Sequence, residues 1–353
     1  MKIIYDMSIQ GATKAGVYVF AKNINEEIIK IDQYPILTYN NPFSTIKQIG
    51  IKRKITSLMR LLYLECIAFF GNRNDIFFFP APEVPFSVIF FKKRFIVTIH
   101  DLYAWKNLKE TTFFASIKNK LLPIIANKAE LICTVSEYSK SEIIKYLNIS
   151  TDKIFVVHNG LDEVFLDKPK INIEVLKNKR YILNVGSLEP RKNISFLIDL
   201  FETIKNQKNY SDLLLVLTGG ESWNSNEILN KINNSVYKND FILLGQVSQN
   251  QLPNLYKDAV AMIFPSKEEG FGIPVIESLS QGTPVLVQAN SALKDFKEYG
   301  AYVMEDFNID TWLTLITEIE KNKVRISKNN INKVIYDFSW KNSANKLLNE
   351  LLK

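Results

Sequence analysis

Short, almost wholly apolar runs recur along this chain, and a helix-like pattern separates each run from the next. They fall at Lys2–Asp6, Asp75–Phe79, Phe95–Ile99, Leu131–Val135, Ile154–His158, Tyr181–Val185, Leu213–Thr218, Phe241–Leu244, Ala261–Phe264, Pro284–Gln288 and Ala301–Met304. Strands that are apolar on both faces are typical of parallel sheets covered by helices on both sides. The alternation predicts an α/β fold with doubly wound, Rossmann-like parallel sheets.

A polar stretch interrupts this alternation near the middle of the chain, and the alternation then restarts. The chain has 353 residues, more than one hydrophobic core normally supports. We therefore expect two domains, at residues 1–166 and 180–337, joined by a linker at 167–179. Parallel sheets bind ligands at the carboxyl ends of their strands, so we expect the two sheets to face each other across a cleft.

Composition excludes several other classes of protein. Cys66 and Cys133 are far apart in sequence, which argues against a disulfide framework, and His100 and His158 are too few for a three-histidine zinc site. Hydrophobic residues make up 46% of the chain, which excludes intrinsic disorder. Met1–Asp6 lacks the apolar core of a signal peptide, and no stretch offers ~20 uninterrupted apolar residues. We expect a cytoplasmic protein without a spanning helix.

The excess of positive charge is confined to the first half of the chain. Residues 1–170 hold 23 Lys and Arg against 16 Asp and Glu, whereas residues 171–353 hold 21 of each. The basic clusters and the aromatic runs beside them are Lys52–Lys54 with Arg60, Lys92–Arg94, Phe77–Phe79 and Phe90–Phe91. Such clusters suit an anionic membrane surface, a nucleic acid or an ordinary solvated face. Because no nucleic-acid-binding motif accompanies them, we expect no nucleic acid as a partner. An anionic membrane surface is the partner that we expect, and an ordinary solvated face is the alternative.

The junction between the run at 261–264 and the helix after it combines two carboxylates with two glycines. Gly270 and Gly272 allow the backbone to approach a ligand, and the amides of the helix start offer an anion site. Glu269 and Glu277 could accept paired hydrogen bonds from vicinal hydroxyls of a ribose or a sugar ring. An acidic helix start followed by a plain turn is the alternative.

A second loop, Gly186–Asn193, follows the run at 181–185 and carries adjacent basic residues. Arg191 can grip a diphosphate through its bidentate fork, and Lys192 can do so as a point charge. The alternative is a solvated basic turn that ends in a helix N-cap.

The first half offers further candidates after two of its strands. Gly16 and Tyr18 belong to a glycine loop, Gly11–Tyr18, that matches neither a dinucleotide fingerprint nor a Walker loop. It predicts a contact with a phosphate or an acceptor, or else a plain turn. His100 and Asp101 end the third strand, where ligands of parallel sheets bind; a buried histidine satisfied by the chain is the alternative.

Together these motifs resemble the retaining, nucleotide-sugar-dependent glycosyltransferases of family 4, which have the GT-B fold. The resemblance covers nearly the whole chain, in the family's order, and rests on Glu269-x7-Glu277, Gly186…Arg191-Lys192-Asn193, His100-Asp101, Thr134-Val135-Ser136 and Asn159–Asp162. One departure lies in the N-terminal loop. The family often has Gly-x-Gly followed by Arg-Tyr there, and this chain has Ala15-Gly16-Val17-Tyr18.

The resemblance implies roles for the matched residues. The implied donor site consists of Gly186, Arg191, Lys192, Glu269, Gly270, Phe271, Gly272 and Glu277. Within it, Arg191 and Lys192 would bind the diphosphate, Glu277 the ribose and Glu269 the transferred sugar. The implied catalytic group is His100, Arg191, Lys192 and Glu269, and the implied acceptor or phosphate loop is Gly16, Tyr18 and Asp101. Residues 338–353 would form a helix that crosses back onto the first domain.

The function implied by the resemblance is retaining transfer of a hexose-type sugar from a nucleotide diphosphate sugar to a glycan or a polyprenyl-diphosphate-linked acceptor. No cofactor and no metal ion are expected, because the chain lacks Asp-x-Asp and already offers two cations to the diphosphate. Richness in Ile, Lys and Asn, whose codons are A/T-rich, favours a bacterial source and surface polysaccharide synthesis, of O-antigen or capsule, at the inner face of the cytoplasmic membrane. A non-catalytic sugar-nucleotide-binding protein and a GT-B-type sugar-nucleotide epimerase are the alternatives.

Overall fold

The computed structural model describes residues 2–9, 16–31, 35–42, 51–72, 74–107, 113–167, 171–220 and 225–352, without the side chains of 51–57, 113–119 and 208. The chain divides into two compact units. Unit 1 comprises Met1–Gly160 and Ser339–Lys353, and unit 2 comprises Leu161–Phe338. Each unit contains one parallel six-stranded sheet.

The described ranges contain twelve strands and thirteen α-helices. The strands are β1 (Ile3–Met7), β2 (Ile36–Asn40), β3 (Ile76–Phe79), β4 (Arg94–Thr98), β5 (Leu131–Thr134), β6 (Ile154–Val156), β7 (Tyr181–Val185), β8 (Leu214–Thr218), β9 (Phe241–Gly245), β10 (Ala261–Phe264), β11 (Val285–Gln288) and β12 (Tyr302–Met304). The helices are α1 (Gly16–Ile31), α2 (Ile51–Phe70), α3 (Phe86–Phe90), α4 (Tyr103–Lys106), α5 (Phe113–Lys128), α6 (Glu137–Leu147), α7 (Ile194–Lys205), α8 (Ser225–Asn234), α9 (Leu252–Lys257), α10 (Ile273–Ser280), α11 (Ile309–Lys321), α12 (Lys328–Asp337) and α13 (Trp340–Leu351).

Unit 1 has the strand order β2-β1-β3-β4-β5-β6. Helix α1 buries Phe20, Ile24 and Ile28, which are spaced one helical turn apart and therefore form a single apolar face. Helix α13 completes the unit beside α1, with the ring of Trp340 6.2 Å from that of Phe20. A Cβ on Gly160 would lie 2.6 Å from Trp340, so only glycine lets the chain pass so close to α13.

Unit 2 has the strand order β12-β11-β10-β7-β8-β9. The chain runs outward from β7 in one direction and from β10 in the other, so the order reverses between these two paired strands. Their carboxyl ends therefore lie side by side, at the position where open parallel sheets bind ligands.

The prediction of two doubly wound parallel sheets is confirmed, and eleven of the twelve strands coincide with the apolar runs. Strand β2 was missed because it lies at the edge of its sheet, is only partly buried, and mixes Ile36 and Leu37 with polar residues. Residues 161–166 group with unit 2 rather than with the first domain. Leu161 N–H donates to the carbonyl of Phe338 at 2.7 Å, and Gln281 Nε2 donates to the carbonyl of Phe165 at 2.9 Å.

Several of the basic residues assigned to a membrane-facing surface have structural roles instead. Lys93 is buried and donates from Nζ to the carbonyls of Ala68, Phe69 and Gly71, which closes the carboxyl end of α2. Buried Arg60 pairs with Glu83. The expectation that these two cations face solvent was therefore wrong, because a sequence of Lys and Arg does not reveal which of them a helix end will bury.

Arg94 and the aromatic run Phe77–Phe79 were predicted to belong to the same surface. Arg94 pairs with Glu130 at 2.6 Å, and Phe77–Phe79 form the buried strand β3 rather than an exposed aromatic run. The side chains of Lys52–Lys54 lie outside the described residues. None of the helices in the described ranges has the length and apolar character needed to cross a bilayer.

Candidate functional site

Two loops meet at the reversal point of the unit 2 sheet. The loop after β7 starts at Gly186, whose φ of +155° favours glycine. A Cβ at this position would lie 3.4 Å from Lys192 Cε. The loop after β10 leads to Gly272, with φ +121°, immediately before α10. Lys267 N–H donates to the carbonyl of Arg191 at 2.9 Å and joins the two loops.

The two loops place both predicted cations, Arg191 and Lys192, in contact with the carboxylate of Glu269. Lys192 Nζ lies 2.6 Å from Glu269 Oε1, and Arg191 Nη1 lies 2.8 Å from Glu269 Oε2. Arg191 also donates to the carbonyl of Glu268 at 3.0 Å and to Glu189 Oε1 at 3.2 Å. Lys192 Nζ lies 4.9 Å from the centroid of the Phe264 ring, so its charge also meets an aromatic face.

Glu269 remains ionised in this cluster. Its side chain is only 9% exposed, and burial by itself raises the pKa of a carboxyl. The charges of Lys192 and Arg191 outweigh burial and hold the pKa of Glu269 at about 2. The cluster is therefore a fixed arrangement of charges at neutral pH.

Glu277 lies on α10 in a different environment. The buried Tyr256 hydroxyl donates to Glu277 Oε2 at 2.7 Å. Burial, with a smaller contribution from the charge of Asp162, raises the pKa of Glu277 to about 7, although the Tyr256 hydrogen bond opposes the rise. Burial also raises the pKa of Tyr256 well above its ordinary value, so Tyr256 remains a proton donor.

The segment Gly270–Gly272 combines a backbone turn with a buried ring. The ring of Phe271 packs 5.6 Å from those of Phe296 and Phe338, centroid to centroid. A Cβ on Gly272 would lie 2.7 Å from Leu293 Cδ2. The Phe271 ring thus anchors the loop, and the backbone of this segment is what the donor-site prediction assigns to a ligand.

In unit 1, His100 follows β4 and is held by its neighbours. His100 Nε2 is 3.0 Å from the carbonyl of Pro80, which can only accept, so this nitrogen carries the proton. The ring meets Phe20 edge-on at 5.2 Å. Burial lowers the pKa of His100, although the Pro80 contact and the charge of Asp101 oppose this. His100 is therefore a neutral imidazole at pH 7.

The other predicted residues of unit 1 have simpler settings. Asp101 Oδ1 accepts a hydrogen bond from Tyr103 N–H at 3.0 Å at the start of α4. Gly16 is the exposed first residue of α1, and Tyr18 is partly buried on the same helix. The rest of the predicted glycine loop, residues 11–15, lies outside the described residues.

The structure thus brings Gly186, Arg191, Lys192 and Glu269 together, and it places Glu277 with Tyr256 on the same unit. Sequence reasoning missed Glu189 and Tyr256 as members of the site. Glu189 precedes the basic pair by two residues and could have been found as its local counter-charge, whereas Tyr256 lies 21 residues from Glu277 with no local pattern. Within the described ranges, no three His, Cys, Asp or Glu side chains are arranged to hold a metal ion.

Two family models match the chain: "Glycosyl transferases group 1" over residues 167–337 and "Glycosyltransferase Family 4" over residues 52–165. The chain is 29% identical, over 69% of its length, to the O-antigen chain mannosyltransferase RfbU of Salmonella typhimurium. It is 26% identical, over 63% of its length, to the O-antigen chain mannosyltransferase B of Escherichia coli. It spans 65% and 60% of the lengths of these two relatives.

A third relative is the UDP-Gal:alpha-D-GlcNAc-diphosphoundecaprenol alpha-1,3-galactosyltransferase of Escherichia coli, which is 29% identical over 69% of this chain and 64% of its own. Among solved structures, sucrose-phosphate synthase of Thermosynechococcus elongatus matches with a TM-score of 0.76, and Anabaena HepE in complex with UDP-glucose matches with 0.72. Each is 14% identical, and 99% of each chain is covered. At this identity the likeness shows the fold.

The chain has two Rossmann-like units, and in unit 2 a loop with two cations pairs with a loop that carries a carboxylate, at the point where the strand order reverses. This arrangement defines a protein of the GT-B class. Together, the two family models account for most of the chain. The chain belongs to the GT-B glycosyltransferases of family 4.

Proposed function

We propose that this protein transfers a hexose-type sugar from a nucleotide diphosphate sugar to a glycan or a polyprenyl-diphosphate-linked acceptor in bacterial surface polysaccharide synthesis. The observation that carries the proposal is the cluster of Arg191, Lys192 and Glu269 at the reversal point of the unit 2 sheet. The relatives named as O-antigen mannosyltransferases and as a diphosphoundecaprenol galactosyltransferase support it.

In the proposed reaction, the bond between the sugar's anomeric carbon and the diphosphate breaks while a bond to the acceptor oxygen forms. Negative charge grows on the departing diphosphate, and Arg191 and Lys192 stabilise it. We propose that the sugar's configuration is retained and that the leaving phosphate oxygen takes the acceptor's proton, so no protein base is assigned. The two cations and the amides at the start of α10 meet the diphosphate charge without a metal ion.

The remaining polar groups receive binding roles. Glu277, in its ionised form, would accept hydrogen bonds from the ribose hydroxyls while Tyr256 occupies Oε2. Neutral His100 would hydrogen-bond the sugar rather than contribute charge. Gly16, Tyr18 and Asp101 remain candidates for the acceptor side in unit 1.

We also propose that unit 1 contacts the anionic inner face of the cytoplasmic membrane, so that the protein is cytoplasmic and peripheral. Unit 1 holds 24 Lys and Arg against 14 Asp and Glu, and unit 2 holds 20 against 23, which gives net charges of +10 and −3. The contact would be made by a phenylalanine cluster, defined as Phe69, Phe70, Phe86, Phe90 and Phe91. Of these, Phe70 is 83% exposed and Phe86 is 69% exposed.

The phenylalanine cluster has a fixed base. Its rings contact one another at centroid distances of 5.1–5.7 Å. The Glu65 carboxylate accepts from the N–H groups of Phe86 and Ser87 and so ties α3 to α2, while Lys93 closes the end of α2. Exposed aromatic rings on a unit of net positive charge suit the interface of an anionic bilayer, where each basic residue near the surface adds about 1 kcal/mol.

The membrane proposal is tested by sedimentation with anionic liposomes at low salt. The double variant Phe70→Ser, Phe86→Ser should sediment less than the wild type, and Val236→Ser, which removes a residue of unit 2 that is 88% exposed, should sediment as the wild type does. Equal sedimentation of all three proteins would contradict the proposal.

The transfer proposal is tested first by thermal shift with GDP-, UDP- and dTDP-sugars, since a ligand of the native state raises its apparent stability. The stabilising donor is then incubated with a lipid-linked glycan, and the anomeric configuration of the product is read by NMR. Activity should survive EDTA. Binding without transfer would favour a sugar-nucleotide-binding protein, and an isomerised free nucleotide sugar would favour an epimerase.

A further inference from the structure

The charges of the ion cluster in unit 2 balance one another. Two cations, Arg191 and Lys192, face two carboxylates, Glu189 and Glu269. Each oxygen of Glu269 receives a different cation, at 2.6 and 2.8 Å. The groups expected to attract a diphosphate are thus already neutralised by the chain.

A diphosphate that binds these cations must compete with Glu269 for their positive charge. The cations are largely buried, with side chains 19% and 10% exposed, so water does little to screen an added anion from the Glu269 charge. While Glu269 pairs with both cations, their charges hold the pKa of its carboxyl at about 2, and it stays ionised. Displacement of the carboxylate from the two cations would relieve its repulsion of a dianionic ligand.

We propose that Glu269 is an internal counter-ion, which the donor diphosphate displaces from Arg191 and Lys192, and that the displaced carboxylate then binds hydroxyls of the transferred sugar. This inference rests on the proposed function, because it takes a nucleotide diphosphate sugar as the ligand. No covalent bond changes in the exchange: two ion pairs break, and the diphosphate and the sugar hydroxyls replace them.

The exchange distinguishes the donor from the nucleoside diphosphate that remains after transfer. The donor offers sugar hydroxyls to the displaced carboxylate, whereas the nucleoside diphosphate offers none. Glu269 therefore competes more effectively against the product than against the donor, and it promotes product release.

The test is the substitution Glu269→Gln, which keeps the shape of the side chain and removes its charge. Calorimetric affinities are measured for inorganic pyrophosphate, for GDP, UDP and dTDP, and for the corresponding nucleotide sugars. We expect pyrophosphate and the preferred nucleoside diphosphate to bind roughly tenfold more tightly than to the wild type. The nucleotide sugar should gain less, because its contact with the carboxylate is lost.

The matched control is Glu268→Gln, which removes the same charge from the neighbouring residue, whose backbone carbonyl contacts Arg191. Its pyrophosphate affinity should stay within about twofold of the wild type, so an equal gain in both variants would indicate a general charge effect and overturn the inference. If Glu269→Gln does not fold, Glu269→Asp replaces it, since the shorter side chain withdraws the carboxylate from both cations and should also tighten pyrophosphate binding.

Unchanged or weaker pyrophosphate binding by a folded variant would overturn the counter-ion role and leave the proposed function intact, provided that the wild type still transfers sugar. Failure of the wild type to bind any nucleoside diphosphate would instead overturn the proposed function together with this inference. The direction of the effect also excludes a purely structural role for Glu269, because loss of a structural contact weakens ligand binding.

Discussion

Glu277→Gln should make the protein more stable at alkaline pH while it removes an ionised ribose ligand. The Glu277 carboxyl has a pKa of about 7 in the folded protein, against an ordinary value of 4.5. The folded state therefore keeps a proton that the unfolded chain gives up between these values. The free energy of unfolding therefore falls as the pH rises through this window, and the whole loss is reached above pH 7.

The size of the effect follows from the pKa difference. Each unit is equivalent to about 1.4 kcal/mol, so ionisation of Glu277 costs the wild type about 3 kcal/mol above pH 7. Glutamine cannot ionise, and its carbonyl oxygen can still accept the hydrogen bond from Tyr256. The variant should match the wild type below pH 4.5 and exceed it by about 3 kcal/mol at pH 8.5.

The assay is urea unfolding of both proteins at several pH values between 4.5 and 8.5, followed by tryptophan fluorescence. Trp312, which is fully buried in the core of unit 2, reports on the unit that contains Glu277. The control is Glu318→Gln, which removes a carboxylate from the exposed face of α11. A stability difference between Glu277→Gln and the wild type that does not change with pH would refute the reasoning.

Three further substitutions test other parts of the argument. Arg191→Ala or Lys192→Ala should each cost about 2–4 kcal/mol of transition-state stabilisation in a sugar-transfer assay, and activity within threefold of the wild type in both would contradict their role at the leaving group. Tyr256→Phe leaves Glu277 without its donor and should weaken nucleoside diphosphate binding by about 1 kcal/mol, with the midpoint of its pH dependence shifted upward; an identical pH profile would contradict this. Lys93→Met leaves the carbonyls at the end of α2 without their donor and should lower the free energy of unfolding by about 1–3 kcal/mol, which an unchanged urea midpoint would exclude.

The sheets could be predicted from the sequence because each buried parallel strand is a short apolar run that the sequence itself shows. Runs such as the one at 261–264 are apolar on both faces, and the chain cannot place them elsewhere without exposing them. Strand β2 is not an apolar run, because an edge strand with one neighbour tolerates polar residues such as Thr38 and Asn40.

The loops that carry the candidate site could be predicted, but the pairing of their side chains could not. Glycines, cations and carboxylates after strands mark the loops, yet Lys192 and Glu269 are separated by 77 residues, and only the reversal of strand order makes them neighbours. The burial of individual polar side chains could not be predicted from the sequence either. Arg60 and Lys93 read as surface charges in sequence, and Tyr256 carries no sign that its hydroxyl meets Glu277.

The hydrogen bond between Leu161 and Phe338 has a consequence for the order in which the protein is made. Unit 2 is one uninterrupted stretch whose two ends are held together, whereas unit 1 needs the segment from Ser339 onward to cover α1. On the ribosome, unit 1 therefore cannot be completed until all of unit 2 has been made and Trp340 has emerged. Most of unit 1 is made before unit 2, and until Trp340 arrives its Phe20 face must be kept from other hydrophobic surfaces in the cell.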